Sequence, residues 1–227
     1  MISLFPIGYV HASQKEKADS PRQGSLTEHR ACISLVKGNN FEQALEDLEG
    51  MERIWVISWL HGVKNWKSKV QPPRRCGKKG VFSTRSPHRP NPIGLSCVKL
   101  ISIEGRKLYI QEHDLLDGTP VLDIKPYLVY ADSFPSAKMG WIEEVPSKNE
   151  IQWSEEALAE VATVLQKEGV DLKEKVESRL EFFQAPSSSN RIKEISEGIY
   201  LQAYQYWRVA FVKKGDCIYV TSVKDAR

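Results

Sequence analysis

Cysteine is scarce in this 227-residue chain: there are four, Cys32, Cys76, Cys97 and Cys217, each standing alone. No CxxC pair and no Cys/His cluster has zinc-site spacing, so no metal is expected and the thiols read as reduced, mostly core filler. Long apolar runs are missing too. No segment approaches the length that spans a bilayer, and no membrane attachment is expected. The opening "MISLFPIGYVH" is apolar but has no basic leader and no small-residue cleavage site. It is expected to be a first strand rather than a signal peptide, and the compartment to be the cytoplasm. No glycine-rich GxGxG loop follows a strand, which argues against an ordinary Rossmann nucleotide fold. A large charge surplus is absent as well: the formal net charge is only +3, so any nucleic-acid contact has to come from a local patch. There are no internal repeats and no long low-complexity tract.

What is present is an ordinary globular mixture, 41% hydrophobic and 27% charged, which can bury a core without staples. "LFPIGYVH" (4–11) and "HRACISLV" (29–36) are strand-like. "NNFEQALEDLEG" (39–50) predicts a short helix capped by Asn40, with Gln43 reaching back, Gly50 as its stop, and Phe41, Ala44, Leu45 and Leu48 on its apolar face. "MERIWVISWLHG" (51–62) predicts a dense, buried strand. "IGLSCVKLISI" and "KLYIQEHD" flank a tight "EGR" connection and predict a hairpin. "LLDGTPVLDIKPYLVYAD" (115–132) reads as turn, short strand and loop. Many short strands with Gly/Pro turns suggest a barrel or sandwich. The character changes near 145–152. Beyond it Ser154 caps a helix with Leu158, Val161, Ala162 and Leu165 on one face and Gly169 after its end. Asp171 and Glu174 open a second, with Leu172, Val176 and Leu180. A loop (184–190) and a hairpin turning at Lys214-Gly215 complete a small α+β domain.

The stretch "STRSPHRPNPIG" (83–94) is the most unusual. Pro87, Pro90 and Pro92 fix their own φ and bias Ser86, Arg89 and Asn91 away from helix. Arg85, His88, Arg89 and Asn91 are therefore held with little entropy left to lose on binding. Arginine grips carboxylate or phosphate through two nitrogens. A preorganised anion-binding loop and a stiff polyproline-type connector fit this composition equally well. Upstream, "KNWKSKVQPPRRCGKKG" (64–80) carries Lys64, Lys67, Lys69, Arg74, Arg75, Lys78 and Lys79, with Trp66 among them for stacking. The alternative for that run is a solvated face.

"VFSTRSPHRPNPIGLS" resembles the signature of the TsaA-like (YaeB/TrmO) family. "IGYVHAS", "SPRQG", "WVISWLHG", "VQPPR" and "DLLDGTPVLDIKPY" extend the resemblance, in the family's order, from residue 4 to about 141. The resemblance implies a mainly β N-terminal domain, a small six-stranded barrel with a short helix (1–145), followed by the small α+β domain (152–227). It implies a homodimer that methylates N6 of threonylcarbamoyl-adenosine at position 37 of tRNA, with S-adenosyl-L-methionine as donor. Carried over residue by residue, it puts the cofactor against Pro21, Arg22 and Gln23, against His61 and Gly62, against Arg85, Arg89 and Leu95, and against the turn Asp117, Gly118, Thr119 and Pro120. Asp123, Lys125 and Tyr127 lie near that site. The sequence singles out no general base. One departure stands out: "QAPSSSN" occupies the place of an Asp-Pro-Arg-Pro-like stretch, without its acid and arginine. It keeps a second reading open, a non-catalytic S-adenosylmethionine- or RNA-binding module on the same barrel, and beside it a methyltransferase with another acceptor.

Overall fold

The computed structural model describes residues 3–13, 29–72, 77–142, 148–186 and 191–227. The chain divides into two compact units, Met1–Val70 with Gly80–Ala137 and Gln71–Lys79 with Lys138–Arg227.

The first unit is a closed six-stranded barrel, as the resemblance implied. Its strands are β1 (Gly8–Ala12), β2 (Arg30–Leu35), β3 (Arg53–Trp59), β6 (Ile93–Glu104), β7 (Lys107–Gln111) and β8 (Pro120–Pro126), in the order β1-β2-β7-β6-β3-β8. β4 (Lys69–Val70) and β5 (Lys79–Gly80) are two-residue strands outside it. Every paired neighbour in the barrel is antiparallel. β3 was expected to be buried throughout. Instead Ile54, Val56 and Ser58 are buried while the residues between them are half-buried, because a barrel strand fills the core with one face only. Val10, Ile33, Ile54, Val56, Val98, Leu108 and Val121 are wholly buried in one cluster, and each such side chain contributes about 1.5–3 kcal/mol. β1 meets β8 through only two register pairs, Gly8↔Val121 and Tyr9↔Pro120, which makes this the seam where the barrel closes.

The helix over 39–50 shrinks to α1 (Phe41–Ala44). Asn40 sits in the left-handed region at φ 54° and makes no capping bond; its side chain donates to Gln43 Oε1 instead, at 2.6 Å. Asp47 also has positive φ, 63°, so the backbone leaves the helix early, although Leu45 is still buried and Phe41 and Leu48 still pack on the core. After β8 a second short helix, α2 (Val129–Asp132), replaces the expected loop.

The second unit is a five-stranded sheet with two helices. β9 (Glu150–Trp153), β10 (Ile192–Ser196), β11 (Ile199–Tyr204), β12 (Trp207–Lys214) and β13 (Cys217–Asp225) lie in the order β10-β11-β12-β13-β9, and only β13–β9 is parallel. The expected single hairpin is a three-strand meander, because Gln205, at φ 47°, turns the chain without glycine or proline. α3 (Glu155–Glu168) has the expected Ser154 cap, whose Oγ accepts from Ala157 N at 3.1 Å. Its buried face is Ala157, Val161 and Val164, whereas Leu158 and Leu165 are 40% and 48% exposed. α4 (Leu172–Leu180) buries Leu172, Val176 and Leu180 as expected.

Candidate functional site

Three segments converge at one end of the barrel. The register pairs Ser58 of β3 with Gly94 of β6 on one side and with Val121 of β8 on the other. The residues after β3, the loop before β6 and the turn before β8 therefore emerge together. They carry His61 and Gly62, Arg85 and Arg89, and Asp117 to Pro120.

The loop before β6 is ordered by its own polar groups as well as by its prolines. After the 3-10 turn Val81–Ser83, Thr84 Oγ1 donates to the Val81 carbonyl at 2.8 Å and accepts from Ser86 N at 3.2 Å. Ser86 Oγ accepts from His88 N at 3.3 Å. The guanidinium of Arg89 turns back into the loop, where one nitrogen donates to the carbonyls of Val81 at 3.2 Å and Thr84 at 3.0 Å. Arg89 is thus a positioning residue for the loop rather than an open cation. Arg85 differs: it is exposed and has no carboxylate partner among the described residues. A preorganised loop presenting one open guanidinium is suited to an anionic ligand group.

This loop is tied to the segment after β3. Leu60 N donates to the Pro92 carbonyl at 2.7 Å, Lys67 N to the His88 carbonyl at 3.0 Å, and His88 Nδ1 lies 3.1 Å from the Asn65 carbonyl. His61 and Gly62 are exposed on that segment. Gly94 is needed for close approach, since a Cβ there would lie 2.6 Å from Ser58 Oγ.

The turn before β8 is sewn to β1. Ala12 N donates to Asp117 Oδ1 at 3.1 Å, Gly118 N to the Val10 carbonyl at 2.8 Å, and Val10 N to the Thr119 carbonyl at 3.0 Å. Gly118 has φ +71° with open space around it, so glycine is there for the backbone angle and not for crowding. Thr119 is buried and Pro120 half-buried.

Leu95 points outward on β6, beside Ile57, and is 61% exposed, an apolar surface a flat ring could cover. On the same outer face Asp123 pairs in register with Ile57 and Lys125 with Trp55, and the two side chains form an ion pair of 2.9 Å. Trp55 Nε1 donates to Asp132 Oδ2 at 3.0 Å and packs edge-on to Tyr127. The Leu128 N–H and the indole N–H together hold the Asp132 carboxyl below the usual carboxylate range.

Pro21, Arg22 and Gln23 lie outside the described residues, as do Arg74, Arg75 and part of the 184–190 loop. Among the described residues no group of acidic, His or Cys side chains could hold a metal ion. No helix among them is long and apolar enough to cross a membrane. Sequence reasoning missed the loop's internal ties, although Thr84 and Ser86, two residues apart beside prolines, were a signal for them. It also missed His113, which is fully buried. Its Nδ1 accepts from Leu115 N at 3.2 Å, so the neutral ring carries its proton on Nε2. Burial pushes its pKa below the ordinary histidine range, against the opposing pull of the Arg30 backbone.

Comparison with known proteins gives this geometry relatives. The profile of the tRNA-methyltransferase O N-terminal domain matches residues 9–133. A tRNA (adenine(37)-N6)-methyltransferase of Mus musculus is 50% identical over 134 residues, which cover 56% of this chain and 31% of that protein. The chain thus spans about a third of that relative's length. A putative S-adenosylmethionine-dependent methyltransferase, RcsF of Pseudomonas aeruginosa, is 42% identical over 161 residues, 69% of this chain and 67% of that one. A crystal structure of TrmO from P. aeruginosa aligns over 99% of this chain and 97% of its own, with a TM-score of 0.66 and 32% identity.

Proposed function

The chain belongs to the tRNA-methyltransferase O N-terminal domain family, and from that premise we propose that it methylates N6 of threonylcarbamoyl-adenosine at position 37 of tRNA, with S-adenosyl-L-methionine as donor. The observation that carries the reading is the convergence of the Arg85 loop, the His61-Gly62 segment and the Asp117–Pro120 turn at one barrel end. The residues there fit such a donor. Arg85 is an open cation for a carboxylate, Leu95 an open apolar surface for an adenine ring, and Gly118 a backbone position with free space above it.

When bound, the donor supplies a methyl group on a positive sulfonium that is already electrophilic. The chain's own contribution is alignment. Arg89, Thr84 and Ser86 fix the loop so that Arg85 needs little further ordering. Asp117 and Gly118 fix the opposite wall by anchoring it to β1. The acceptor nitrogen lies between an adenine ring and a carbamoyl group, and as it takes the methyl group it would give up its proton to a base or to water. His61 is exposed near this end, whereas Asp123 is engaged with Lys125 and with Ile124 N.

The protein is further proposed to act in the cytoplasm as a homodimer. Val129, Tyr130 and Phe134, on and just after α2, are 70%, 86% and 71% exposed, an apolar surface suited to a second copy. Sedimentation at micromolar concentration should give the dimer mass; a monomer throughout would remove this part.

The alternative binding module is favoured by one feature. In the stretch that lacks the acid and the arginine, Ala185 is buried and its methyl group offers a ligand no polar contact. Methyl transfer to tRNA pools with and without the threonylcarbamoyl group, read by nucleoside mass spectrometry, separates the two. Product from the modified pool alone is expected. Cofactor binding with no transfer to either pool would replace this reading with the module or with a methyltransferase for another acceptor.

A further inference from the structure

From Arg53 to Ile103 the chain contains not one Asp or Glu but 11 Lys and Arg; the remainder holds 21 basic and 29 acidic residues. The positive surplus is therefore confined to this segment, which a composition of +3 conceals. The fold gathers part of it on one surface of the first unit. Residues 65–68 lie as a strap over the loop before β6, held by Lys67 N to the His88 carbonyl at 3.0 Å, by the His88–Asn65 contact at 3.1 Å and by Val81 N to the Ser68 carbonyl at 3.0 Å. Trp66 stands between these anchors and Phe82 follows directly after one of them. Neither ring joins the core: Trp66 is 56% and Phe82 75% exposed. Arg89, itself fixed by two carbonyls, lies 5.5 Å from the Phe82 ring centroid and steadies it from beside the loop. Lys64, Lys67 and Lys69 are exposed around Trp66 and have no carboxylate partner among the described residues.

Two rigidly mounted, open aromatic rings among unpaired cations match one ligand chemistry well. Phosphates satisfy the cations, and flat heterocycles cover the rings at about 5- to 150-fold in affinity per stacked base. Bases within a duplex have both faces covered and cannot do this; unstacked bases in an RNA loop can. We propose that Trp66 and Phe82 are stacking platforms for unpaired RNA bases, with Lys64, Lys67 and Lys69 receiving the phosphates between them. This rests on the reading that the chain acts on tRNA, and it assigns that substrate's recognition to its loop rather than its helices.

The test measures binding by fluorescence anisotropy across a salt series, with the whole chain and two probes: a short RNA stem-loop, and the same stem closed as a continuous duplex. Trp66→Ala and Phe82→Ala should each weaken the stem-loop about 5- to 150-fold, leave duplex binding alone and leave the salt slope unchanged, since neither ring is charged. Trp66→Phe and Phe82→Tyr should restore most of the loss. Lys67→Gln with Lys69→Gln should instead lower the slope by about 0.7 per lysine and weaken both probes. Aromatic variants that bind the stem-loop like the parent would overturn the proposal. So would equal losses on both probes, or S-adenosylmethionine binding lost in step, which would give the rings to the cofactor pocket. Methyl transfer by the parent is read separately. Its absence beside intact loop discrimination sinks the enzyme reading alone, and its presence beside indifferent aromatic variants sinks this one alone.

Discussion

Arg89→Met retains a long side chain and removes every donor, so it isolates what the guanidinium does for the loop. The two carbonyls it serves are not equivalent. That of Val81 also accepts from Thr84 N at 3.1 Å and Thr84 Oγ1 at 2.8 Å and stays satisfied without arginine. That of Thr84 loses its donor. The loss is thus about one charge-assisted hydrogen bond, about 1.5–3 kcal/mol when fully sheltered; at this half-buried position about 1–2 kcal/mol is the reasonable range. The loop lies outside the barrel's hydrophobic cluster, so the loss should loosen the loop without unfolding the unit. Ordering then has to be made good on binding, and at 1.4 kcal/mol per decade the affinity for S-adenosylmethionine should fall about 5- to 30-fold. Isothermal titration should show that loss mainly as a less favourable entropy, with Tm nearly unchanged. A variant that binds as tightly as the parent would refute the positioning role.

Two other perturbations test the barrel end from inside. Ser58 Oγ is buried with no partner among the described residues, and a Cβ on Gly94 would stand 2.6 Å from it. Gly94→Ala should cost about 1–3 kcal/mol by overpacking, Ser58→Ala should be neutral or stabilising because it removes an unsatisfied hydroxyl, and the double variant should recover at least about 1 kcal/mol. Additive single effects in urea unfolding would contradict the contact. His113 supplies the pH test: its pKa is lowered in the fold relative to about 6.5 in the unfolded chain. The unfolded state therefore takes up the proton first, so its contribution is present above 6.5 and is lost as pH falls through 6.5 towards the lower folded value. His29, Asp114 and the Arg30 backbone act on the ring, and burial dominates. His113→Gln should flatten the stability curve over that window by about 1.4 kcal/mol per unit of depression; parallel curves for parent and variant would count against it.

The strands were legible as short apolar runs between Gly/Pro turns, which left barrel and sandwich equally open; the resemblance, not the pattern, singled out the barrel. α4 was legible because it has one apolar stripe. α3 was not. It carries apolar residues at 157, 158, 161, 162, 164 and 165, two adjacent stripes that periodicity cannot rank. The sheet selected Ala157, Val161 and Val164. α1 was overread because helix-forming composition says nothing about Asn40 and Asp47 taking positive φ. The turn at Gln205 carries none of the usual turn residues beyond its polarity, so two strands merged into one. At the site, the proline rhythm disclosed a stiff loop but not which of its two arginines faces inward, because that depends on carbonyls left open by a 3-10 turn.

The barrel's seam has a consequence for breathing. β1 and β8 share two register pairs, far fewer than β3 shares with β6, and lie more than a hundred residues apart in the chain. Closing them should therefore cost the most loop entropy of any pairing in the barrel, and opening them should be its easiest fluctuation. Yet, beside the bond from Ile7 N to the Val121 carbonyl, the bonds that stitch β1 there come from the Asp117–Thr119 turn, one wall of the proposed site. A ligand seated on that wall would act as a clasp on the hoop. Hydrogen exchange at Val10 and Ala12 should then slow when the ligand is added, while the β3–β6 amides keep their pace. In that picture the pocket exists only while the barrel is shut, and occupancy can be read as the lifetime of a closed ring.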